Sequence, residues 1–396
     1  MSTDAEKTVQ CIEETLLAYC RQQGLFKSGD RVIAAYSGGA DSMALLLFLL
    51  RRRKDLAIEV LATHVNHGIR GASARADANF VTAFCRRNGV ELFLYDAEKE
   101  GVPIPPQPSE EWARELRYTW FDQLAAREEA LIATAHTCSD QAETLLFRMA
   151  RGTGLHGLAG IPPCRGIYRR PCLCLTRADT EAYCAALGQN YVQDETNAAD
   201  LYARNRIRHG VLPALERAHP GAARSITRFA AEMSAVADYL EEQAGALLEQ
   251  ACVPRAVYLP GNIPDAYCAQ TLAAAPAAVR HTALARLIAA AAPQQKMSLV
   301  PEADALLAKG EGAVQLCEGV WLSIRQGLLA VGPRPEPPRG EAGSWRQPFA
   351  PGVFAAPGGL LVEVQLVNYE KMVNSEKDVR NLLKFCADYG KIQDNP

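Results

Sequence analysis

The chain has 396 residues, of which 48% are hydrophobic and 22% charged, and its formal net charge is −3. That balance belongs to a folded globular protein with room for two or three domains. It excludes a globally basic nucleic-acid binder, so any nucleic-acid contact must come from local basic patches. No apolar run reaches the ~18 residues of a membrane span. The start, MSTDAEKTVQC, lacks the basic-then-apolar pattern of a secretory signal, so a cytoplasmic location and reduced thiols are expected for the twelve cysteines.

Apolar positions Val9, Ile12, Leu16 and Leu17 recur at helical spacing and predict an amphipathic helix over 5–24. A buried strand, 31–36, then leads through the turn Ser37-Gly-Gly-Ala-Asp-Ser42 into a helix over 43–52. The first amides of a helix have no partner within it, and its dipole favours negative charge there. Gly38 and Gly39 let backbone approach a ligand, and Ser37 and Ser42 add hydroxyls, so Ser37 to Ser42 reads as a phosphate cradle. It is neither GxxxxGK[ST] nor GxGxxG. The basic run Arg51 to Lys54 reads as dipole compensation, with phosphate or RNA contact as the alternative.

Strands follow at 58–65, 92–95 and 130–135, alternating with helices at 73–88, 109–127 and 139–148. Ser109 before Glu110 and Glu111 is an N-cap with an acidic first turn. Thr137-x-x-Asp140 is a candidate capping box, which leaves open whether Asp140 only caps its helix. The alternation implies an α/β fold with a doubly wound, mainly parallel sheet, whose ligands bind beyond the carboxyl ends of the strands. The cradle, 64–70 and 136–143 all fall on that edge.

Gly152 to Gly160 reads as a hinge, and Arg165, Arg169, Arg170 and Arg177 crowd the span after it. Thr176 or Asp179 opens a further helix, and Arg204 and Arg208, four apart, are placed on one helix face. From about residue 214 the chain turns Ala/Leu/Glu-rich: helices over 214–250 and 265–292, then short antiparallel strands over 312–331. Residues 332–343 read as a linker, and 360–367 as one further strand. Cys164, Cys172, Cys174 and Cys184 could form a metal site, but CxC without CxxC fits no common pattern, and scattered core thiols are expected.

The hexapeptide Ser37 to Ser42 resembles the SGGxDS loop of the N-type ATP pyrophosphatases, which split ATP into AMP and pyrophosphate. Further motifs follow in order: Val65 to Gly71 with Ser73 and Asp77; Ala113-Arg114 with Arg117-Tyr118; Ala135-His136 with Asp140 to Thr144; Arg151-Gly152 with Gly154-Leu155; Asp194 with Thr196-Asn197; and Arg204 to Arg208. Together they resemble the tRNA(Ile)-lysidine synthetase family over about residues 25–215, and more weakly to about 331.

The resemblance implies adenylylation of the C2 oxygen of cytidine 34 in the CAU anticodon of tRNA(Ile), then displacement of AMP by the ε-amine of L-lysine. It implies ATP and Mg²⁺ as cofactors and leaves a homodimer open. Ser37, Gly38, Gly39, Ala40, Asp41, Ser42 and Arg114 would bind ATP. Asp41, His136 and Asp140 would be catalytic, with Asp41 and Asp140 on the metal. Glu143 would take lysine, and Arg204 and Arg208 the tRNA.

The implied domains are a catalytic domain over 1–213, a mainly helical tRNA-binding domain over 214–332, a linker over 333–345, and the start of a C-terminal tRNA-binding domain over 346–396. Two departures stand out. Thr137 occupies the place of the family's usual second histidine. Ala387 to Ile392 resembles the opening of the final domain, whose basic body does not follow; either the domain is truncated or the tRNA grip is reduced, and weaker tRNA affinity is expected. A tRNA thiolase of the same ATP class, or a non-catalytic nucleotide- or tRNA-binding relative, is the alternative.

Overall fold

The computed structural model describes residues 3–69, 72–192, 203–253, 266–293, 299–325 and 327–333, and the backbone of 352–356 and 360–364. The expectations for Asp194 to Asn197, the linker and Ala387 to Ile392 lie outside the described residues. Two compact units divide the chain, Met1–Tyr239 and Leu240–Pro396.

The first unit runs α1 (Thr3–Gln22), β1 (Arg31–Ala35), α2 (Ala40–Arg52), β2 (Glu59–Asn66), α3 (Ala72–Asn88), β3 (Leu92–Asp96), α4 (Glu110–Glu128), β4 (Leu131–Ala133), α5 (Cys138–Arg151), α6 (Leu155–Leu158), β5 (Cys164–Arg165), β6 (Tyr168–Arg169), α7 (Arg177–Ala186), α8 (Ala203–Arg206) and α9 (Leu212–Ala218), and enters α10 (Ala222–Ala251). Its sheet has the order β3-β2-β1-β4-β6-β5, parallel throughout except for the β5–β6 pair.

The chain steps one way from β1 through β2 to β3, then crosses to β4 on the other side of β1. That reversal creates a crevice at the carboxyl end of β1, where open α/β sheets bind ligands. Helices cover both faces because a parallel sheet must bury both. On one face Leu16, Met43, Leu45, Phe48, Val81, Phe84 and Tyr183 form the core. On the other, Phe121, Leu124 and Ala125 of α4 pack on Ile33, Leu61 and Ile132.

The basic end of α2 has a structural partner. Arg51 and Arg52 both pair with Glu13 of α1, which is 2% exposed and also accepts from the Tyr183 hydroxyl at 2.7 Å. The glycine-rich stretch after α5 is pinned: Arg148 Nη1 donates to the carbonyls of Gly157 and Gly160, both at 3.0 Å. The β5–β6 hairpin was not expected from the sequence; its strands are two residues each, too short for a periodic signal.

In the second unit, the end of α10 packs with α11 (Ala269–Ala274), α12 (Ala277–Ala291) and α13 (Val300–Lys309) around Leu272, Leu284 and Ile288. A five-stranded antiparallel sheet completes that core. Its strands are β7 (Cys252–Val253), β8 (Ala266–Cys268), β9 (Gly312–Cys317), β10 (Val320–Arg325) and β11 (Leu328–Gly332), in the order β7-β8-β11-β10-β9. Helix was expected from 265; Ala266 to Cys268 are strand instead, because β11 and β7 offer them ladder partners on both sides. A separate hairpin joins β12 (Gly352–Ala356) and β13 (Leu360–Val364). No helix among the described residues is long and apolar enough to cross a membrane.

Candidate active site

The cradle forms as its sequence suggests. Gly39 caps α2 in an extended conformation without a side-chain cap, so the first amides of α2 are left for a ligand. Ser42 Oγ donates to the Gly39 carbonyl at 2.9 Å, lies 3.0 Å from Ser37 Oγ and accepts from the Ser37 amide at 3.2 Å, which closes the turn on itself. Gly38 sits at φ +93°, a region that L side chains rarely adopt, and a Cβ there would come within 3.2 Å of Val192 Cγ2.

The cradle opens into a cleft of about 770 Å³, lined among others by His64, Arg114, Arg117, His136, Asp140 and Arg208. Three helix starts, those of α2, α5 and α7, bring charged side chains to it. Asp41 is the second residue of α2. Thr180 Oγ1 donates to its Oδ1 at 2.5 Å, and Arg177 Nε to its Oδ2 at 3.4 Å. Burial pushes the Asp41 carboxyl up, and Arg177 and Thr180 oppose the rise.

Asp140 uses its two oxygens differently. Oδ2 accepts from the Thr137 amide and hydroxyl, both at 2.9 Å, and Thr137 Oγ1 accepts from the Asp140 amide, so the capping box is real. Oδ1 turns the other way, to Arg208 Nη2 at 3.3 Å and Arg177 Nη2 at 3.5 Å. Capping and contact with the two cleft-lining arginines thus coexist in one carboxylate. Burial alone would raise the Asp140 carboxyl. The Thr137 amide, Arg177 and His136 more than reverse this and hold it below the usual carboxylate range.

Arg208 makes a two-pronged contact with Glu143: Nε to Oε1 at 2.8 Å and Nη2 to Oε2 at 3.0 Å. Burial works against the Arg208 charge, but Glu143 and Asp140 outweigh it and raise its pKa. Glu143, expected to take lysine, is 1% exposed and is not among the cleft-lining residues. The expected shared helix face of Arg204 and Arg208 depends on the Arg204 side chain, which lies outside the described residues. After Arg206 the backbone widens into a π-turn over Ile207–Val211.

His136 follows β4, and its Nδ1 lies 2.9 Å from Thr134 Oγ1. His64 donates through Nδ1 to the Tyr36 carbonyl at 3.0 Å, which anchors the wall beside β1. Arg114 lies over the Tyr118 ring, 4.6 Å from its centroid, and Arg117 lines the cleft beside it. The cluster Arg165 to Arg177 disperses: Arg169 Nε binds the Leu25 carbonyl, Arg170 Nη1 the Pro162 carbonyl, and only Arg177 enters the cleft.

Arg177 and Thr180 are the site residues that the sequence reading left unassigned. The available signal was Thr176-x-x-Asp179, a capping box of the same form as Thr137-x-x-Asp140, which starts α7 at the cleft edge.

No group of three or more His, Cys, Asp or Glu side chains among the described residues could hold a metal ion. Mg²⁺ does not need one: it is commonly held by one or two carboxylates plus substrate phosphates and water. Asp41 Oδ2 and Asp140 Oδ1, which reach one guanidinium, fit that donor set. Cys172 and Cys184 are buried, and burial pushes the thiols of Cys174 and Cys184 up to about 12, as for inert core cysteines. Cys164 is exposed.

The PP-loop domain family matches residues 5–215. The tRNA(Ile)-lysidine synthase of Clostridium perfringens is 37% identical over 247 residues, covering 61% of this chain and 52% of that protein. The Bacteroides thetaiotaomicron protein of the same name is 36% identical over 230 residues, covering 57% and 53%. That of Solibacter usitatus is 45% identical over 194 residues, covering 48% and 42%. The chain therefore spans about half the length of the curated relatives that it matches.

Proposed function

This chain belongs to the PP-loop domain family, and from that premise we propose that it joins L-lysine to cytidine 34 in the CAU anticodon of tRNA(Ile), in the cytoplasm, at the expense of ATP. In the first step the C2 oxygen of the cytidine attacks the α-phosphorus and pyrophosphate leaves. In the second, the lysine ε-amine attacks C2 and AMP leaves with that oxygen. The products are a lysidine-containing tRNA, AMP and pyrophosphate.

The observation that carries the reading is an uncapped, glycine-opened helix start that bears Asp41 and lines one cleft with Asp140, together with the similarity to tRNA(Ile)-lysidine synthases. Ser37 to Ser42 would hold the departing pyrophosphate through backbone amides and hydroxyls. Asp41 and Asp140 would hold Mg²⁺, which when bound offsets charge on the phosphates. Arg114 and His136 line the same cleft and would steady the nucleotide and the reacting phosphate.

Glu143 would supply a buried negative charge to hold a lysine ammonium. Arg208 holds both its oxygens, so lysine would enter by taking one of them while Arg208 keeps its contact with Asp140. Arg204 and the helical part of the second unit are assigned to the tRNA.

The test supplies labelled lysine, ATP and an unmodified CAU-anticodon isoleucine tRNA. Label is expected in the tRNA with matching release of AMP and pyrophosphate. Label entering equally well without ATP, or no label entering while ATP is split, would overturn the reading.

A further inference from the structure

Arg177 has a position that the ligation chemistry alone does not explain. It opens α7, and its amide donates to Ser139 Oγ at 3.3 Å, joining the first turns of α7 and α5. Its guanidinium reaches Asp41 Oδ2 through Nε at 3.4 Å and Asp140 Oδ1 through Nη2 at 3.5 Å. Two carboxylates from different helices, which repel each other, thus share one cation.

Charge-assisted hydrogen bonds close at about 2.7–2.9 Å. Arg208 reaches that range on Glu143, at 2.8 Å, whereas both Arg177 contacts are longer by more than half an ångström. The Arg177 side chain is also 33% exposed and lines the cleft that contains the cradle. Asp41 is held independently of it by Thr180, a fully buried residue one turn along α7. Arg177 is therefore a loosely held counter-ion, within a cleft built for phosphates, on carboxylates that keep their places through other bonds.

We propose that Arg177 is an exchangeable counter-ion, which bridges Asp41 and Asp140 in the nucleotide-free protein and passes to the phosphate oxygens when ATP and its divalent cation enter. The inference rests on the assignment of Asp41 and Asp140 to that cation. It makes Arg177 a positioning residue that couples nucleotide binding to metal binding: metal alone must compete with a guanidinium, whereas metal with nucleotide does not.

The test measures Mn²⁺ binding by electron paramagnetic resonance, with and without α,β-methylene-ATP, in the whole chain and in Arg177→Gln and Arg177→Lys. The unaltered protein is expected to bind Mn²⁺ weakly alone and at least about fivefold more tightly with the analogue, the lower end of typical coupling. Arg177→Gln should raise the affinity for Mn²⁺ alone by a similar factor and shrink the gain from the analogue, while Arg177→Lys should stay close to the unaltered protein. An Arg177→Gln protein with both quantities unchanged overturns the proposal and leaves the ligation reading standing. An unaltered protein that gains no Mn²⁺ affinity from the analogue overturns both.

A second measurement does not depend on that variant folding. In arginine-labelled protein, the Arg177 Nε–H resonance, identified by its loss in Arg177→Lys, should shift on adding analogue with Mg²⁺. No shift overturns the proposal.

Discussion

Asp140 offers a test that separates scaffold from chemistry within one side chain. Asp140→Ala removes the cap that Oδ2 provides to the Thr137 amide and hydroxyl, and also removes Oδ1 from Arg208 and Arg177. Losing a cap costs about 1 kcal/mol, and stranding partly buried charged donors costs about 1–3 kcal/mol more. The total, about 2–4 kcal/mol, lowers the melting temperature of a unit of this size by roughly 4–16 °C. Asp140→Asn keeps an oxygen for the Thr137 amide and keeps the volume. Its NH2 replaces Oδ1 and offers the arginines a donor in place of an acceptor, so it should cost the stranding of those donors alone, about 1–3 kcal/mol, with the cap kept. Turnover should separate from stability. Asn should lose about a hundredfold or more in AMP formation, as expected when a charged group acting on the reacting phosphate is neutralised. Thermal melting and AMP release on the same preparations make the comparison. Near-normal turnover in Asp140→Asn would show that the residue is only a cap. A melting loss as large as that of Asp140→Ala would show that the two oxygens are not divided as described.

Three further outcomes follow from the same structure. Glu13→Gln removes the charge shared by Arg51, Arg52 and the Tyr183 hydroxyl in a nearly fully buried site, and should destabilise the first unit by about 3 kcal/mol in denaturant titration, with AMP formation per folded molecule unchanged. Gly38→Ala places a Cβ at φ +93° and 3.2 Å from Val192, so it should cost about 1–3 kcal/mol and weaken ATP binding in calorimetry; unaltered ATP affinity would contradict the cradle geometry. Asp304 pairs with Arg280 and His281, and the Arg280 bond holds its carboxyl below the ordinary range. A carboxyl with a depressed native pKa contributes stability above its unfolded pKa and loses it as the pH falls. Asp304→Asn should therefore cost about 0.5–1 kcal/mol at neutral pH, and its stability should converge with that of the unaltered protein as the pH drops below about 4.

Much of the fold was legible because its signals are local. The strand-turn-helix at 31–52, the Ser109 cap and the Thr137–Asp140 box each depend on residues within one turn of one another, and each forms as read. Short elements were not legible: β8, at three residues, lies where alanine-rich sequence favours helix, and only its neighbours β7 and β11 make it a strand. The arginines were read least well. Arg51 and Arg52 were open between dipole compensation and phosphate contact, and they serve Glu13, 38 and 39 positions away. The contact of Arg208 with Glu143, 65 positions away, was not read from the sequence either. A long flexible cation carries no local mark of its partner; the packing of other elements decides what it meets.

The sequence by itself determined the cradle and the alternation that makes a parallel sheet, because backbone geometry at Gly38 and Gly39 and the spacing of apolar residues are properties of neighbouring positions. Only the tertiary structure decided how the charges are shared: that Asp140 divides its oxygens between a cap and the cleft, that Arg208 holds Glu143, and that Arg177 joins Asp41 to Asp140 from 136 residues beyond Asp41. Those pairings arise because the crossing at β1 brings the starts of α2, α5 and α7 to one crevice, and charges meet there according to distance in space.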